Sequence, residues 1–300
     1  MQHLLDIQQL TQADVKGLIE RAVHFKKKLE VPHYPDYPLA TLFHESSTRT
    51  RVSFELAAKR LGLPVVSFDI QSSAESKGEA VEDTFQTLVA MGLKLFVIRH
   101  QQDFLPTRLA DKYGHGVHIV NAGDGRHAHP SQALLDFMTI GEQKPAFSQL
   151  KIAIVGNLRH SRVANSFQWM CALMGVGELM LVAPPIWQPE KPHFGRVTAS
   201  LEEGLQDADV VMCLRIQRER LQDEEHMDIA FYRKHYAITQ QSLGFAKPDA
   251  LVMHPGPMNR GVEIDSDVAD GAQSVILRQV ENGVFIRMAI LDALIHDEGI

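Results

Sequence analysis

Short apolar runs, separated by longer stretches of helical periodicity, set the rhythm of this chain. Eight of them are rich in aliphatic and β-branched residues: LATLF (39–43), PVVSFD (64–69), KLFVIR (94–99), VHIVNA (117–122), KIAIVG (151–156), ELMLVA (178–183), DVVMCL (209–214) and ALVMHP (250–255). Most are continuous rather than alternating, as expected for parallel strands covered on both faces. Between them the period changes. Phe54, Ala57, Ala58 and Leu61, for example, recur at i, i+3, i+4 and i+7 and make one apolar helix face. Strand and helix alternating in this way predict an α/β chain built from βαβ units.

The series breaks in the middle. Four runs precede residue 125 and four follow residue 150, with a helical stretch, Pro130 to Ile140, and the turn-rich GEQKPAFS between them. The pattern predicts two domains, each a mostly parallel sheet flanked by helices, joined by a helix, with a small-ligand site expected in the interdomain cleft. The expected boundaries are 1–140 and 141–283, with an apolar C-terminal helix over 284–300 packing back on the first domain.

Composition narrows the function. A length of 300 residues suits two domains with ample core. The net charge of -7 argues against a general nucleic-acid binder, so any bound anion needs a local pocket. Cys171 and Cys213 sit inside apolar runs without CxxC spacing, which reads as two buried thiols. No apolar stretch reaches the ~20 residues that span a bilayer. The start, MQHLLDIQQLTQADV, has acids but no basic n-region, so a cytoplasmic protein is expected.

Candidate chemistry gathers at the ends of the apolar runs. FHESSTRTRVSF (43–54) places Ser46, Ser47, Thr48, Arg49, Thr50 and Arg51 between a strand and a helix start. Unpaired N–H groups and the helix dipole favour an anion there, hydroxyls can donate to phosphate oxygens, and Arg49 can fork onto two of them. The plainer alternative is a Ser46 or Ser47 cap with solvated arginines. Arg51, Glu55 and Lys59 follow at i+4 steps as a salt-bridged stripe. Arg99, ending KLFVIR, is either strand-end solvation or a site residue. In NAGDGRHAHPSQ (121–132), Pro130 suits the first helical position and His129 the N-cap, with Gln132 close by. The helix dipole favours a neutral imidazole at His129, able to donate to a carbonyl oxygen and the oxyanion that grows from it. His127 with His129, or His115 with His118, lack an acidic or cysteine ligand at recognisable spacing, so no metal is expected.

The remaining segments are weaker signals alone. KIAIVGNLRHSRVANS has one glycine, Gly156, in its turn and no G-x-G-x-x-G, which argues against a dinucleotide cofactor. Arg215 and Gln217 in LRIQRER fall on one side of an extended strand end, and Arg215 suits bidentate capture of a carboxylate, whereas Arg218 and Arg220 read as solvated. HPGPMNRG is a rigid Pro/Gly loop whose carbonyls can hold an ammonium or amide. SSAESKGE reads as a polar loop with a solvated lysine.

Taken together these segments resemble one family. STRTR followed by SFE is similar to the carbamoyl-phosphate signature of the aspartate and ornithine carbamoyltransferases. SSAESKGEAVEDT (72–84), NAGDGRHAHPSQALLD (121–136), LRIQRER (214–220) and HPGPMNRGVEI (254–264) extend the likeness over nearly the whole chain and toward its aspartate-specific members, since the HCLP loop of the ornithine enzymes is missing. The resemblance implies transfer of a carbamoyl group to the α-amine of L-aspartate, the first committed chemistry of pyrimidine synthesis, without cofactor or metal. It assigns Ser47, Thr48, Arg49, Thr50, Ser73, Lys77, Arg99, His129, Gln132, Pro255 and Gly256 to carbamoyl phosphate, and Lys77, Arg162, Arg215 and Gln217 to aspartate. Arg49, Thr50, Lys77, Arg99 and His129 would be catalytic, and Arg287, near the start of the C-terminal helix, would help hold the site. It also implies a homotrimer in which Ser73 and Lys77 reach a neighbouring subunit's site, and it leaves open whether regulatory or dihydroorotase-like chains attach as further partners. Two departures stand out: Gln101 where the family has proline, and Asn157 where it has aspartate. An ornithine or other amino-acid carbamoyltransferase, or a non-catalytic scaffold, are the alternatives. A scaffold would be expected to lose the phosphate residues, which are all present here.

Overall fold

A computed structural model of the chain describes residues 1–45, 47–68, 80–216 and 227–296. The chain divides into two compact units, Met1–Leu135 with Val280–Ile300, and Asp136–Gln279.

Among the described residues the first unit holds a four-stranded sheet of β1 (Leu39–Phe43), β2 (Val65–Phe68), β3 (Leu95–His100) and β4 (His118–Asp124), in the order β2-β1-β3-β4. Every pairing is parallel. The continuous apolar runs have the expected cause. Ala40, Leu42, Phe96, Ile98 and Ile119 point into one cluster with Phe85 and Leu88 of α3 (Val81–Ala90) and Leu105 and Leu109 of α4 (Leu105–Tyr113). Leu39, Val97 and Val120, at the alternate positions, are fully buried as well, so both faces are covered. Edge strand β2 is half-buried at its ends and exposed at Val66 and Ser67. The open edge of β4 is taken up by the N-terminal segment, where the Leu4 N–H donates to Ile119 O at 2.9 Å and the Asn121 N–H to Leu4 O at 2.8 Å.

α1 (Gln12–Lys26) opens with a capping box, Thr11 and Asp14 each accepting from the other's backbone N–H. α2 (Thr48–Arg60) buries Phe54, Ala57 and Ala58, with Leu61 just beyond it, as their spacing predicts. The C-terminal helix, α11 (Ile276–His296), starts eight residues before the expected Val284. Gly283 and the exposed Leu277 and Val280 hid that first stretch from an apolar-periodicity reading. A Cβ at Gly283 would lie 2.5 Å from Arg287 Nη1, so a larger residue there would push that guanidinium aside. Asp292 ties this helix down, accepting from Arg21 Nε at 2.8 Å and from the Tyr34 hydroxyl at 2.6 Å.

The second unit carries, among the described residues, a five-stranded parallel sheet of β5 (Lys151–Val155), β6 (Glu178–Val182), β7 (Arg196–Thr198), β8 (Val210–Cys213) and β9 (Leu251–Met253), in the order β7-β6-β5-β8-β9. Helix α6 (Arg162–Met174) follows β5, the short α7 (Leu201–Leu205) precedes β8, α8 (Ile229–Tyr236) and α9 (Gln240–Leu243) lie between β8 and β9, and α10 (Ser266–Ala269) lies between β9 and α11. The chain leaves the first unit inside α5 (Pro130–Gly141) and returns to it inside α11. Strand β7 escaped prediction because RVT is three residues long and opens on an exposed arginine. Cys171 and Cys213 are buried as expected, and burial pushes both thiols up. No helix among the described residues is long and apolar enough to cross a membrane.

Candidate active site

In both sheets the strand order reverses at one point, and several of the predicted ligand residues follow the strands that flank it. In the first unit the chain runs outward from β1 to β2 on one side and from β3 to β4 on the other. The β1/β3 boundary is therefore the topological switch point, where the following loops diverge. Phe43 pairs with Arg99 across this boundary, and the His44 N–H donates to Arg99 O at 2.9 Å. The serine-threonine run and Arg99 thus leave the same sheet edge side by side.

Ser47 stands at the N-cap of α2, but its side chain makes no capping hydrogen bond. The simple cap reading therefore fails for Ser47, while Ser46 lies outside the described residues. The first helical bond runs from the Arg51 N–H to Ser47 O at 3.0 Å, so the N–H groups of Thr48, Arg49 and Thr50 precede any helical acceptor. Thr48 and Arg49 are exposed, and Thr50 is buried. Arg51 turns away to Glu55 at 3.0 Å along the helix surface, as the i+4 spacing predicts.

Arg99 is held on two sides. Its Nη1 donates to Ala122 O at the end of β4, at 3.1 Å, and its Nε lies 3.4 Å from a Glu45 carboxylate oxygen. Beside it the rings of His44 and His100 meet edge to face, 4.6 Å between centroids. Burial, then the neighbouring His100, brings His44 down to about 4, and burial also lowers His100. Both are therefore neutral at pH 7 and add no charge beside the Arg99–Glu45 pair.

β4 lies next to β3, so the loop after it leaves the same sheet edge. Its turn closes with the Asp124 N–H donating to Ala128 O at 3.1 Å and the His127 N–H to Asp124 O at 3.0 Å. His129 then occupies the helix-cap position before Pro130, its carbonyl accepting from Gln132 and Ala133. Its side chain is buried, as is that of Gln132. Arg287 lies in the middle of α11, not near its start, with its guanidinium 4.9 Å above the Phe54 ring and Nη2 at 3.5 Å from Ser131 Oγ. It therefore ties the helices that follow β1 and β4 to one another.

In the second unit the switch point is the β5/β8 boundary. Arg162 is the first residue of α6, after β5, and is buried, while Arg215 follows β8 and is half-buried. Both arginines thus sit at the switch point of one sheet. Gly156 shapes the turn between β5 and α6. Its φ of 139° is a glycine conformation, and a Cβ would meet that of Leu214 at 2.9 Å. The Asn157 side-chain oxygen accepts from the His160 N–H at 3.3 Å.

Pro255 and Gly256 follow β9, the strand next to β8. Their loop is braced from below: the Gly256 N–H donates to His254 Nδ1 at 2.8 Å, and His254 Nε2 faces Glu263 Oε1 at 3.2 Å. The Asn259 N–H adds a 2.6 Å bond to the same oxygen. Ser73, Lys77 and Gln217 lie outside the described residues.

Residues 2–142 match the carbamoyl-P binding domain, and residues 148–294 the Asp/Orn binding domain, of the aspartate/ornithine carbamoyltransferases. The chain belongs to that family. Over 98% of its length it is 61% identical to the aspartate carbamoyltransferase catalytic subunit of Legionella pneumophila (strain Corby), 99% of which is covered. The corresponding subunit of Coxiella burnetii (strain Dugway 5J108-111) is 46% identical, over 97% of this chain and 95% of that one. Among solved structures, the chain resembles aspartate transcarbamoylase from Trypanosoma cruzi in complex with carbamoyl aspartate and phosphate, with TM-score 0.87, 30% identity and coverage of 97% and 95%. It also resembles ornithine carbamoyltransferase from Pyrococcus furiosus, with TM-score 0.86, 27% identity and coverage of 100% and 98%.

Within this carbamoyltransferase frame, Arg287 apart, the sequence did not reveal the groups that hold the candidate ligand residues in place. Glu45 was visible as the one acid inside FHESSTRTRVSF, a signal that an arginine would be paired there. His254 and Glu263 were visible in the HPGPMNRGVEI segment, but nothing in their spacing announced a pair. Among the described residues no group of three or more His, Cys, Asp or Glu is arranged to hold a metal ion.

Proposed function

We propose that the chain is a carbamoyltransferase that uses carbamoyl phosphate and L-aspartate, giving N-carbamoyl-L-aspartate and phosphate. The observation that carries the choice of amine is the pair of arginines, Arg162 and Arg215, at the switch point of the second sheet. Two guanidinium groups suit a dicarboxylate, whereas the second ammonium of ornithine would need a carboxylate. The curated relatives at 61% and 46% identity carry the aspartate name, which supports the same choice.

The roles follow from the chemistry each position offers. Ser47, Thr48, Arg49 and Thr50 bind the phosphoryl group at the start of α2, where helix N–H groups and an exposed arginine favour an anion. Thr50, Arg99 and His129 stabilise the oxyanion that forms as the aspartate amine attacks the carbonyl carbon. Gln132 and the carbonyls of Pro255 and Gly256 hold the carbamoyl NH2, and Arg162, Arg215 and Gln217 hold the aspartate carboxylates. The new C–N bond forms, the C–O bond to phosphate breaks, and the departing phosphate takes the amine proton. Holding the two reactants in line supplies much of the acceleration, since a well-oriented pair is worth roughly 7–11 kcal/mol of the barrier. Transfer requires the phosphate residues of the first unit and the carboxylate residues of the second to serve one pair of substrates. Ser73 and Lys77 complete that site from a neighbouring copy of the chain in a homotrimer, so a separated protomer is inactive. The product belongs to pyrimidine synthesis, and the site of action is cytoplasmic.

Incubating purified protein with carbamoyl phosphate and either L-aspartate or L-ornithine tests the reading. Carbamoyl aspartate should form and citrulline should not. Turnover of ornithine without turnover of aspartate defeats the aspartate reading, and turnover of neither makes the chain a scaffold.

A further inference from the structure

His127 lies two residues before His129 in the turn after β4, and both of its ring nitrogens face carboxylates. Nδ1 is 2.9 Å from Asp124 Oδ2, and Nε2 is 3.2 Å from Asp6 Oδ2. A neutral imidazole carries one N–H, so one of these contacts would set a lone pair against a carboxylate oxygen. The geometry calls for an imidazolium that donates to both.

Asp124 needs that charge. It is completely buried, and its other partners are uncharged donors: the Phe104 N–H at 2.7 Å, the Ala128 N–H at 3.0 Å and the Asn121 side-chain amide at 2.9 Å. These partners lie on functionally different loops. Phe104 ends the loop that starts after Arg99 and His100, and Ala128 immediately precedes His129. One buried carboxylate therefore cross-links the loops after β3 and β4. Phe104 adopts a left-handed conformation, φ 62°, while making this bond, and its ring covers the His127 imidazole at 3.9 Å between centroids.

We propose that His127 is a positioning residue for carbamoyl transfer: as a fixed cation between Asp6 and Asp124, it holds the loops that carry Arg99 and His129 in their working arrangement. The proposal rests on the functional reading above and deepens it. Losing the charge would leave Asp124 as a buried, uncompensated anion, and the two loops bonded to it would relax.

The clamp is titratable. Burial opposes the cation, but the hydrogen bonds and charges of Asp124 and Asp6 outweigh it and raise His127 to about 9. From the N-terminal segment it faces Asp6, from β4 Asp124, and from the start of α4 only the uncharged Phe104 ring. Further out are Asp103, which accepts the Arg126 N–H at 2.7 Å, the exposed Arg126, and His100, which burial lowers. At neutral pH the clamp is closed, and it opens on the alkaline side.

The test is the pH dependence of kcat and KM for wild type, H127R, H127Q and D6N, with thermal melting of each. Arginine keeps a charge that can fork onto both carboxylates and does not titrate, so H127R should retain most of kcat. Its activity relative to wild type should rise above pH ~9. H127Q should lose about ten-fold or more in kcat at neutral pH, with the KM for aspartate nearly unchanged. D6N removes one stabilising charge and should move the alkaline fall in wild-type kcat to lower pH. Cooperatively melting H127Q with wild-type kcat and an unaltered alkaline fall would overturn the proposal, as would H127R as impaired as H127Q. If wild type forms no carbamoyl aspartate, the functional reading fails and melting judges the clamp alone. A clamp predicts that H127R flattens the alkaline loss of thermal stability, and an unchanged loss refutes it.

Discussion

Individual side chains at the proposed site divide into those that touch substrate and those that hold others still. His129 belongs to the first class. It is buried at the start of α5, where a donor can meet a growing oxyanion with little reorganisation. Replacing it with alanine should lower kcat by roughly 10²–10³-fold while leaving the KM for carbamoyl phosphate within a few-fold, because the interaction strengthens only in the transition state. Steady-state kinetics in both substrates would show it, and a variant raised in KM alone would make His129 a ground-state ligand instead. Glu45, Arg287 and Glu263 belong to the second class, gripping Arg99, the helices after β1 and β4, and the loop after β9. The residues proposed to touch substrate stood out in the sequence as candidates because they cluster within short motifs. Most of the holding contacts did not, because they join distant positions: Asp6 and His127 share no spacing that a sequence displays, and Arg287 was marked only by the family resemblance, with nothing to announce its contact with Phe54.

Elements follow the same division between local and non-local signals. β1, β3, β4, β5, β6, β8 and β9 appear close to their apolar runs because each is buried on both faces. β7 and the first turns of α11 do not, since an exposed arginine in one and an exposed face with an internal glycine in the other carry no apolar pattern. Strand order was also invisible, yet it is what brings Arg162 and Arg215 to one switch point. Gly156 guards that junction. Gly156→Ala places a Cβ against Leu214 in a backbone conformation hostile to side chains, and should destabilise the protein by about 1–3 kcal/mol. Urea unfolding checks this. An unchanged midpoint would mean that β5 and β8 have room to part.

At the scale of the whole molecule, two histidines set opposite limits on stability with pH. His44 is held near 4 by burial and by His100, below its ordinary 6.5. Its contribution is full above pH ~6.5 and fades as pH falls toward 4, because the unfolded chain takes up the proton first. His127 is raised to about 9, so its contribution is full below pH ~6.5 and is lost as pH rises through 9. The melting temperature should therefore peak near pH 6.5 and fall on both sides. His44→Phe should soften the acid fall without affecting the alkaline one, and equal acid slopes in the two proteins would remove His44 from this role. The division into two units with parallel sheets was readable from the break in strand spacing, whereas the return of the chain to its first unit through α11 was seen only in its final turns.

In the proposed reaction one pair of substrates meets both the start of α2 and the arginines at the β5/β8 switch point. N-(phosphonacetyl)-L-aspartate carries a phosphonate and both free aspartate carboxylates in one molecule, so calorimetric titration of this compound into wild type, Arg49→Ala and Arg215→Ala probes both ends of that arrangement. Wild type should bind it tightly and each variant should lose about 1.5–3 kcal/mol, since each substitution strands a charged ligand group. Wild-type affinity in either variant would contradict that arrangement.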